Sequence, residues 1–465
     1  MRHLLKNLVA GGDRVTVAAA RTALEAGGNA IDGAVAGAFA AMVAEPTLTS
    51  AGGGGCLLAC PKDGVPVVFD FFVDMPSGAP SANMDFGEVT LDFGPDTQSF
   101  FIGRAAAAVP GNVAGLLRAQ ERLGCLPRRD VLAPAISAAR EGVKLSADQA
   151  EFFRVLRPIL THDEAGRALF APEGRPLGEG DQFVMADFAI FLEALSDEGP
   201  DLLYLGEVAH LIHDWARVGG LIQADDLANY RVHEREPLRA EFAGHTLLLN
   251  PPPATTGDRL RRALAHWETY GGEMADVLVA LGPNSAVDGH GSTTHLSVLD
   301  AQGGAASVTT TNGEGCGHIL PGCGFMLNNM LGELDLNPGG FHRHAPGARL
   351  PTMIGPTIAL RNGSPVLVTG TGGSNRIPSA LAQVLVNVLD RGLDLPAALA
   401  APRLHLDDDL LHVEPEIDGE RLRALRQRFK IREWPGPSFF FGGVHAVTAE
   451  SAAGDARRGG RAEVF

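Results

Sequence analysis

An excess of positive charge is the first thing this sequence lacks. Its formal net charge is −17, and a phosphate backbone is gripped by clustered lysine and arginine, so the balance argues against a nucleic-acid partner and for small-molecule chemistry. It also lacks a run long enough to cross a bilayer: Ala34 to Ala44 is apolar but stops at Glu45-Pro46, well short of the roughly 20 residues a spanning helix needs. No membrane partner is therefore expected. The opening residues, "MRHLLKNLVAGGDRV", carry no long apolar core followed by a cleavage site, so a cytoplasmic location is expected. Cysteine is sparse. The five, Cys56, Cys60, Cys125, Cys316 and Cys323, form no dense framework, and an odd count suits a reducing compartment. Cys56 and Cys60 sit in the apolar "CLLAC" with no histidine cluster nearby, which reads as buried small hydrophobes rather than ligands. The "GGGG" of residues 52–55 lacks the Lys-Ser/Thr of a phosphate loop. His342 and His344 lie in a Pro/Gly loop without a convincing acidic partner. No metal and no cofactor are expected. Repeats and low-complexity tails are absent as well.

What is present is a long chain with much glycine. The 465 residues exceed what one ordinary core holds, so two closely packed lobes are expected. A hydrophobic content of 45% allows a real core, and 58 glycines predict tight turns and backbone-lined sites. Residues 14–43 read as two alanine-rich helices split at Gly27-Gly28, with Asn29 as a cap and Asp32 in the first turn. Residues 110–230 read as mostly helical. "HTLLLN" is a strand that stops at three prolines. Residues 271–292 lose periodicity and collect Gly, Asn, Ser and Asp, which marks the best internal boundary. "THLSVLD" and "AASVTTT" follow as a hairpin, with later strands at "PTIALRN" and "PVLVTGTGG" and a helix at "RIPSALAQVLVNVLDRG". Hairpin connections with helices before and after predict an α+β body.

One feature of the hairpin carries chemistry. Its first strand begins Thr293-Thr294 after a soft segment, residues 284–292. Counting back from the turn sets Thr293 opposite Thr311 or Asn312. Several hydroxyls and an amide then share one sheet edge. Threonine also simply favours strands. The chemistry that would use such a cluster is N-terminal threonine catalysis. A hydroxyl at a strand start attacks the preceding carbonyl, water cleaves the resulting ester, and the new α-amine serves as base. An α-amine has an ordinary pKa of about 7.7–8, well placed for proton transfer near neutral pH.

At this point the sequence resembles the γ-glutamyltranspeptidases, a family of N-terminal-nucleophile hydrolases. The resemblance rests on "GGNAIDGAVAGAFAAMVAEPTLTSAGGGG", "VPGNVAGL", "DLANYRVHEREPL", "NPPPATTG", "TTHLSVLD", "GFMLNNML", "PTIAL", "VTGTGGSNRI" and "APRLH", in that order over more than 400 residues. It implies a four-layer αββα sandwich. It implies cleavage between Ser292 and Thr293, giving a large subunit of residues 1–292 and a small catalytic subunit of residues 293–465. A dimer of such heterodimers is a further assembly option. By the same resemblance Thr293 is the nucleophile, Thr311 bonds near its amine, and Asn312 lies beside the substrate carboxylate. Gly373 and Ser374 supply oxyanion donors, Glu333 holds a substrate amine, and Thr352 stands at the position of a substrate-binding serine. The partner implied is a small γ-glutamyl or acyl-amide substrate, with glutathione-like donors as the default.

Three departures bear on that substrate. Phe72, in "FFVDMP", stands where the family carries a carboxylate-clamping arginine. Pro351-Thr352 replaces paired serines, and "TNGEG" is shorter than the family's segment after the second-strand threonine. An aromatic ring cannot make a bidentate carboxylate contact. Either Arg104 or Arg349 substitutes, or the acyl group is not plain γ-glutamyl, as in relatives that deacylate cephalosporin side chains. A non-catalytic, unprocessed member serving as a scaffold is the alternative from another class.

Overall fold

Two antiparallel sheets form because the chain offers short apolar or alternating runs, each closed by turn residues. The computed structural model describes residues 6–92, 97–282 and 292–465. The first sheet orders its strands Arg461–Val464, Leu8–Gly11, Thr293–Leu299, Ala305–Thr311, Gly54–Cys60, Val67–Phe71, His233–Arg235. The second orders them Ala452–Ala453, Gly443–Thr448, Ser364–Gly372, Thr357–Arg361, His245–Leu249, Leu238–Phe242.

Three apolar clusters show how the layers stack. Between the sheets, Leu8, Leu58 and Val68 of the first meet Leu248, Ile358, Val368 and Val447 of the second. The outer face of the first sheet, with Leu57, Phe69, Leu296 and Val308, packs on the helices Arg14–Glu25 and Ala30–Ala44. The outer face of the second, with Leu247, Ala359 and Val444, packs on Leu260, Leu264 and Leu381 of the helices Thr256–Tyr270 and Ile377–Leu385. The order is helix, sheet, sheet, helix, so the expected four-layer α+β sandwich is what the chain builds.

The helix Ala30–Ala44 is buried along its whole length, which its alanines and glycines permit by keeping it narrow. A capping box formed by Asn29 and Asp32 starts it, as the sequence indicates. Its C-terminal end delivers Glu45 beside the start of the Thr293 strand.

The halves are not separate lobes. Residues before 282 and residues after 292 both supply strands to both sheets. The Thr293 hairpin is inserted between Leu8–Gly11 and Gly54–Cys60, so composition alone misplaces a lobe boundary there. Within 271–292, Met274–Ala280 is a helix, and the soft run at 284–291 lies outside the described residues.

Candidate functional site

Strand parity sets the site. Side chains alternate along a strand, so Thr293, His295 and Ser297 share the face turned to the second sheet. Thr294, Leu296 and Val298 share the face turned to the helices. Beyond Thr293 the polar side is hydrogen-bonded: His295 contacts the Thr309 hydroxyl at 2.8 Å and the Ser297 hydroxyl at 2.9 Å, and Ser297 donates to the His445 carbonyl at 3.1 Å. Burial holds the His295 ring well below the usual imidazole range, so it stays neutral. This hydroxyl–imidazole ladder rigidifies the strand that carries Thr293.

On the helix side, Thr294 donates to Glu45 Oε2 at 2.7 Å and Thr16 donates to Oε1 at 2.6 Å. Glu45 therefore joins the first helix, the second helix and the hairpin. Burial, reinforced by the charge of Asp13, pushes its carboxyl up to about 7 against the usual 4.5. A folded-state pKa above the unfolded one gives stability that is complete below the unfolded value. That stability is lost as pH rises through about 7. Glu45→Gln should therefore flatten the fall in melting temperature between pH 5 and 8. A parallel fall in wild type and variant would remove Glu45 as its cause.

The hairpin register pairs Thr293 with Thr311, which resolves the choice between Thr311 and Asn312. The Thr311 hydroxyl donates to the Ser292 carbonyl at 2.5 Å and accepts from the Gly313 N–H at 3.1 Å. The Ser292 N–H donates to Glu314 Oε1 at 3.1 Å. Ser292 is thus held through both its N–H and its C=O, and the carbonyl of the bond joining it to Thr293 is polarised by a fixed donor. Arg458 reaches the Thr293 carbonyl at 3.4 Å from behind.

The cleft beside Thr293 is lined by Phe72, Thr311, Met330, Glu333, Asp335, Leu336, Thr352, Met353, Ile354, Ser374 and Ile377. The Ser364–Gly372 strand ends against it. A Cβ on Gly372 would collide with the Thr293 carbonyl, so only glycine lets the two backbones approach. Gly373 and Ser374 then turn with φ of 131° and 49°. A left-handed non-glycine residue costs about 1–2 kcal/mol, a strain that functional loops often carry. The Ser374 hydroxyl is held by Asp335.

Three residues considered for the site are turned elsewhere. The Asn312 amide points at the Met326 and Leu327 carbonyls, each at 3.5 Å, and does not line the cleft. Gly313, at φ 57°, turns the chain directly after Asn312. Arg104 is paired with Asp85 at 2.9 Å and covers Trp215. Arg349 is buried between Asp70, at 3.1 Å, and Asp74, at 2.6 Å. Neither arginine faces the cleft. Removing Arg104 by Arg104→Ala should change KM for any donor less than about twofold. A large KM increase would restore it as a substrate contact.

Sequence reading did not single out Glu314 and Asp335. With Glu333 they make a buried acidic group. Burial and mutual repulsion raise Glu314 and Glu333 far above the carboxylate range, and burial raises Asp335. Glu333 Oε1 and Glu314 Oε2 have no hydrogen-bond partner among the described residues. Such orphaned acceptors suit a cationic or donating ligand. The spacing Glu333-Leu-Asp335 was visible, but burial was not.

The family model described as Gamma-glutamyltranspeptidase matches residues 16–279 and 259–465. The chain is 32% identical to the Acylase ACY 1 proenzyme of Pseudomonas sp. (strain SE83), over 92% of this chain and 87% of that one. It is 31% identical to the Glutathione hydrolase proenzyme of Pseudomonas aeruginosa, over 96% and 91%. A solved cephalosporin acylase from Bacillus halodurans shares the fold at a TM-score of 0.84, with 23% identity and coverage of 99% and 96%.

Proposed function

Since the chain belongs to the γ-glutamyltranspeptidase family, a family of enzymes, we propose that it is a self-cleaving amide hydrolase or acyltransferase whose nucleophile is Thr293. One observation carries this reading: the Thr311 hydroxyl holds the Ser292 carbonyl at 2.5 Å. That carbonyl is the one the Thr293 hydroxyl must attack. Its oxygen gains negative charge in the tetrahedral intermediate, and a donor already in place needs no reorganisation. The C–N bond then breaks, the Thr293 nitrogen takes a proton, and an ester links Ser292 to the threonine hydroxyl. Water hydrolyses the ester and leaves residues 1–292 and 293–465 as two chains within one sandwich.

After cleavage the Thr311 hydroxyl loses the Ser292 carbonyl and faces the new α-amine of its register partner Thr293. The amine accepts the proton of its own hydroxyl as that hydroxyl attacks a donor amide. The N–H groups of Gly373 and Ser374 are the candidates for the second oxyanion. The departing amine takes the proton. Water or an acceptor amine then resolves the threonyl ester, giving hydrolysis or transfer.

The donor is the finer question. Relatives named glutathione hydrolase and acylase proenzymes support both a γ-glutamyl amide and a different acyl group. The cleft favours the second. Phe72, Met330, Leu336, Met353 and Ile354 make it apolar, Glu333 and Asp335 make it acidic, and both candidate clamp arginines are paired elsewhere. An acyl chain bearing an amine but no free carboxylate fits this lining. Binding such a cation should drive the raised acids to ionise, because it stabilises their charged forms. Calorimetry in buffers of different ionisation enthalpy should then show net proton release near neutral pH. A donor that binds with no proton release, or with uptake, would count against an amine-bearing acyl group.

A further inference from the structure

A second cluster of titratable side chains lies outside the Thr293 cleft, against the loop that follows the hairpin. It brings together Asp85, His162 and His318, which are far apart in sequence. One ligating atom from each falls within 4.8 Å of the other two. His318 is its centre and is 92% buried, with a relative exposure of 8%. Its Nε2 sits 3.0 Å from Asp85 Oδ2, yet that nitrogen makes no hydrogen bond among the described residues.

The other ring nitrogen explains the orientation. His318 Nδ1 lies 3.6 Å from Asp163 Oδ2. Asp163 is fixed in turn: Gly166 N–H donates to its Oδ1 at 2.6 Å and Ile319 N–H donates to its Oδ2 at 3.1 Å. A carboxylate on the Nδ1 side favours a proton there, which makes Nε2 a buried acceptor close to, but not hydrogen-bonded with, the Asp85 oxygen. Two buried acceptor atoms this close repel each other unless a proton or a cation sits with them. A carboxylate behind a histidine is also how metal-bound imidazoles are commonly held. His162 completes the group from the solvent side, its ring perpendicular to that of His318 with centroids 5.1 Å apart.

We infer that Asp85, His162 and His318 form a site for one divalent transition-metal ion of the zinc type, with Asp163 as the positioning residue behind His318. Two imidazoles and one carboxylate are ligands for such an ion rather than for calcium or magnesium, which prefer oxygen. Bond lengths of about 2.0–2.1 Å set ligand atoms roughly 3.3 Å apart in a tetrahedron. The exposed His162 side chain can supply that contraction. Arg104 shares the Asp85 carboxylate through its guanidinium at 2.9 Å and its backbone N–H at 3.1 Å. Its positive charge opposes an incoming cation, so affinity should fall below that of a buried structural zinc. Bound metal would brace the Cys316–Ile319 loop, which begins two residues after Glu314.

The test uses the full chain after chelator treatment. Co2+ is titrated in and followed by its ligand-field absorption, with Zn2+ then added as competitor. The expected result is one equivalent of Co2+ in a low-coordinate histidine environment, displaced by Zn2+, and a rise in melting temperature on loading. His162→Ala alters an exposed residue and should leave the fold intact while weakening binding at least about tenfold. Asp163→Asn should weaken it by roughly ten- to a hundredfold. His344→Ala, on a different loop, should leave binding unchanged. The inference is overturned if no stoichiometric Co2+ binds, or if binding survives combined His162→Ala and His318→Ala substitution. It is equally overturned if nitrogen NMR shows His318 doubly protonated and unmoved by metal, which would make it an imidazolium bridge between Asp85 and Asp163.

Discussion

Thr293→Ala should run as a single chain of 48.7 kDa where the wild type runs as two, and its turnover should fall by on the order of 10⁴-fold or more. The size of the effect follows from two losses at one atom. Without the hydroxyl, nothing at that strand position attacks the Ser292 carbonyl, so the α-amine is never freed. Without the hydroxyl, no acyl-enzyme forms either. Thr294→Ala is the matched control. Its hydroxyl lies on the opposite face of the strand and is bonded to Glu45 at 2.7 Å, so this variant should still cleave. Thr311→Ala should fall between the two: cleavage proceeds but slowly, because one oxyanion donor is worth about 2.7–4 kcal/mol of barrier. Gel electrophoresis over a time course separates the three outcomes. Normal maturation of Thr293→Ala would remove Thr293 as the nucleophile.

Phe72→Arg should shift donor preference toward γ-glutamyl amides by about ten- to 150-fold in kcat/KM relative to an amine-bearing acyl amide without a carboxylate. That range is what one charge-assisted hydrogen bond of roughly 1.5–3 kcal/mol supplies. The side chain is fully buried in the cleft wall, and its backbone carbonyl accepts from Tyr230 at 2.6 Å. The new guanidinium would therefore enter the cleft near Glu333 and Asp335. Those acids offer it a partner, which limits both the cost of burying the charge and the freedom of the guanidinium to reach a substrate carboxylate. The wild type should show the reverse preference, seen mainly as a high KM for γ-glutamyl donors. A wild-type KM for such donors in the low micromolar range would contradict the apolar, acidic reading of the cleft.

The main lines of fold and site could be read from local signals. Period-two alternation and the Gly-Gly turn set the hairpin, and counting from that turn brought Thr293 within one residue of Thr311, its actual partner. The Asn29–Asp32 cap, the Ser364–Gly372 strand and the glycine-rich turn at Gly373 all carry sequence signatures that survive in three dimensions. Where the structure places a residue differently from its expected position, the cause is physical. Arg104 and Arg349 looked available because nothing local reveals Asp85, Asp70 or Asp74 beside them. Asn312 was expected at the substrate, but the short turn at Gly313 rotates it toward Met326. Glu45, Glu314, Asp335 and Arg458 were passed over because an isolated charge in sequence gives no sign of its burial. The internal boundary near 271–292 is one of sequence and not of space, because the strands on either side of it interleave.

The central claim is that the chain cuts itself between Ser292 and Thr293 and then uses that threonine. Intact-mass analysis of the purified protein, before and after a slowly deacylating amide or ester donor, tests it most directly. The account predicts two masses corresponding to residues 1–292 and 293–465, with the acyl adduct carried only by the smaller fragment and mapped by fragmentation to Thr293. A break at any other bond, or an adduct on any other residue, would contradict it.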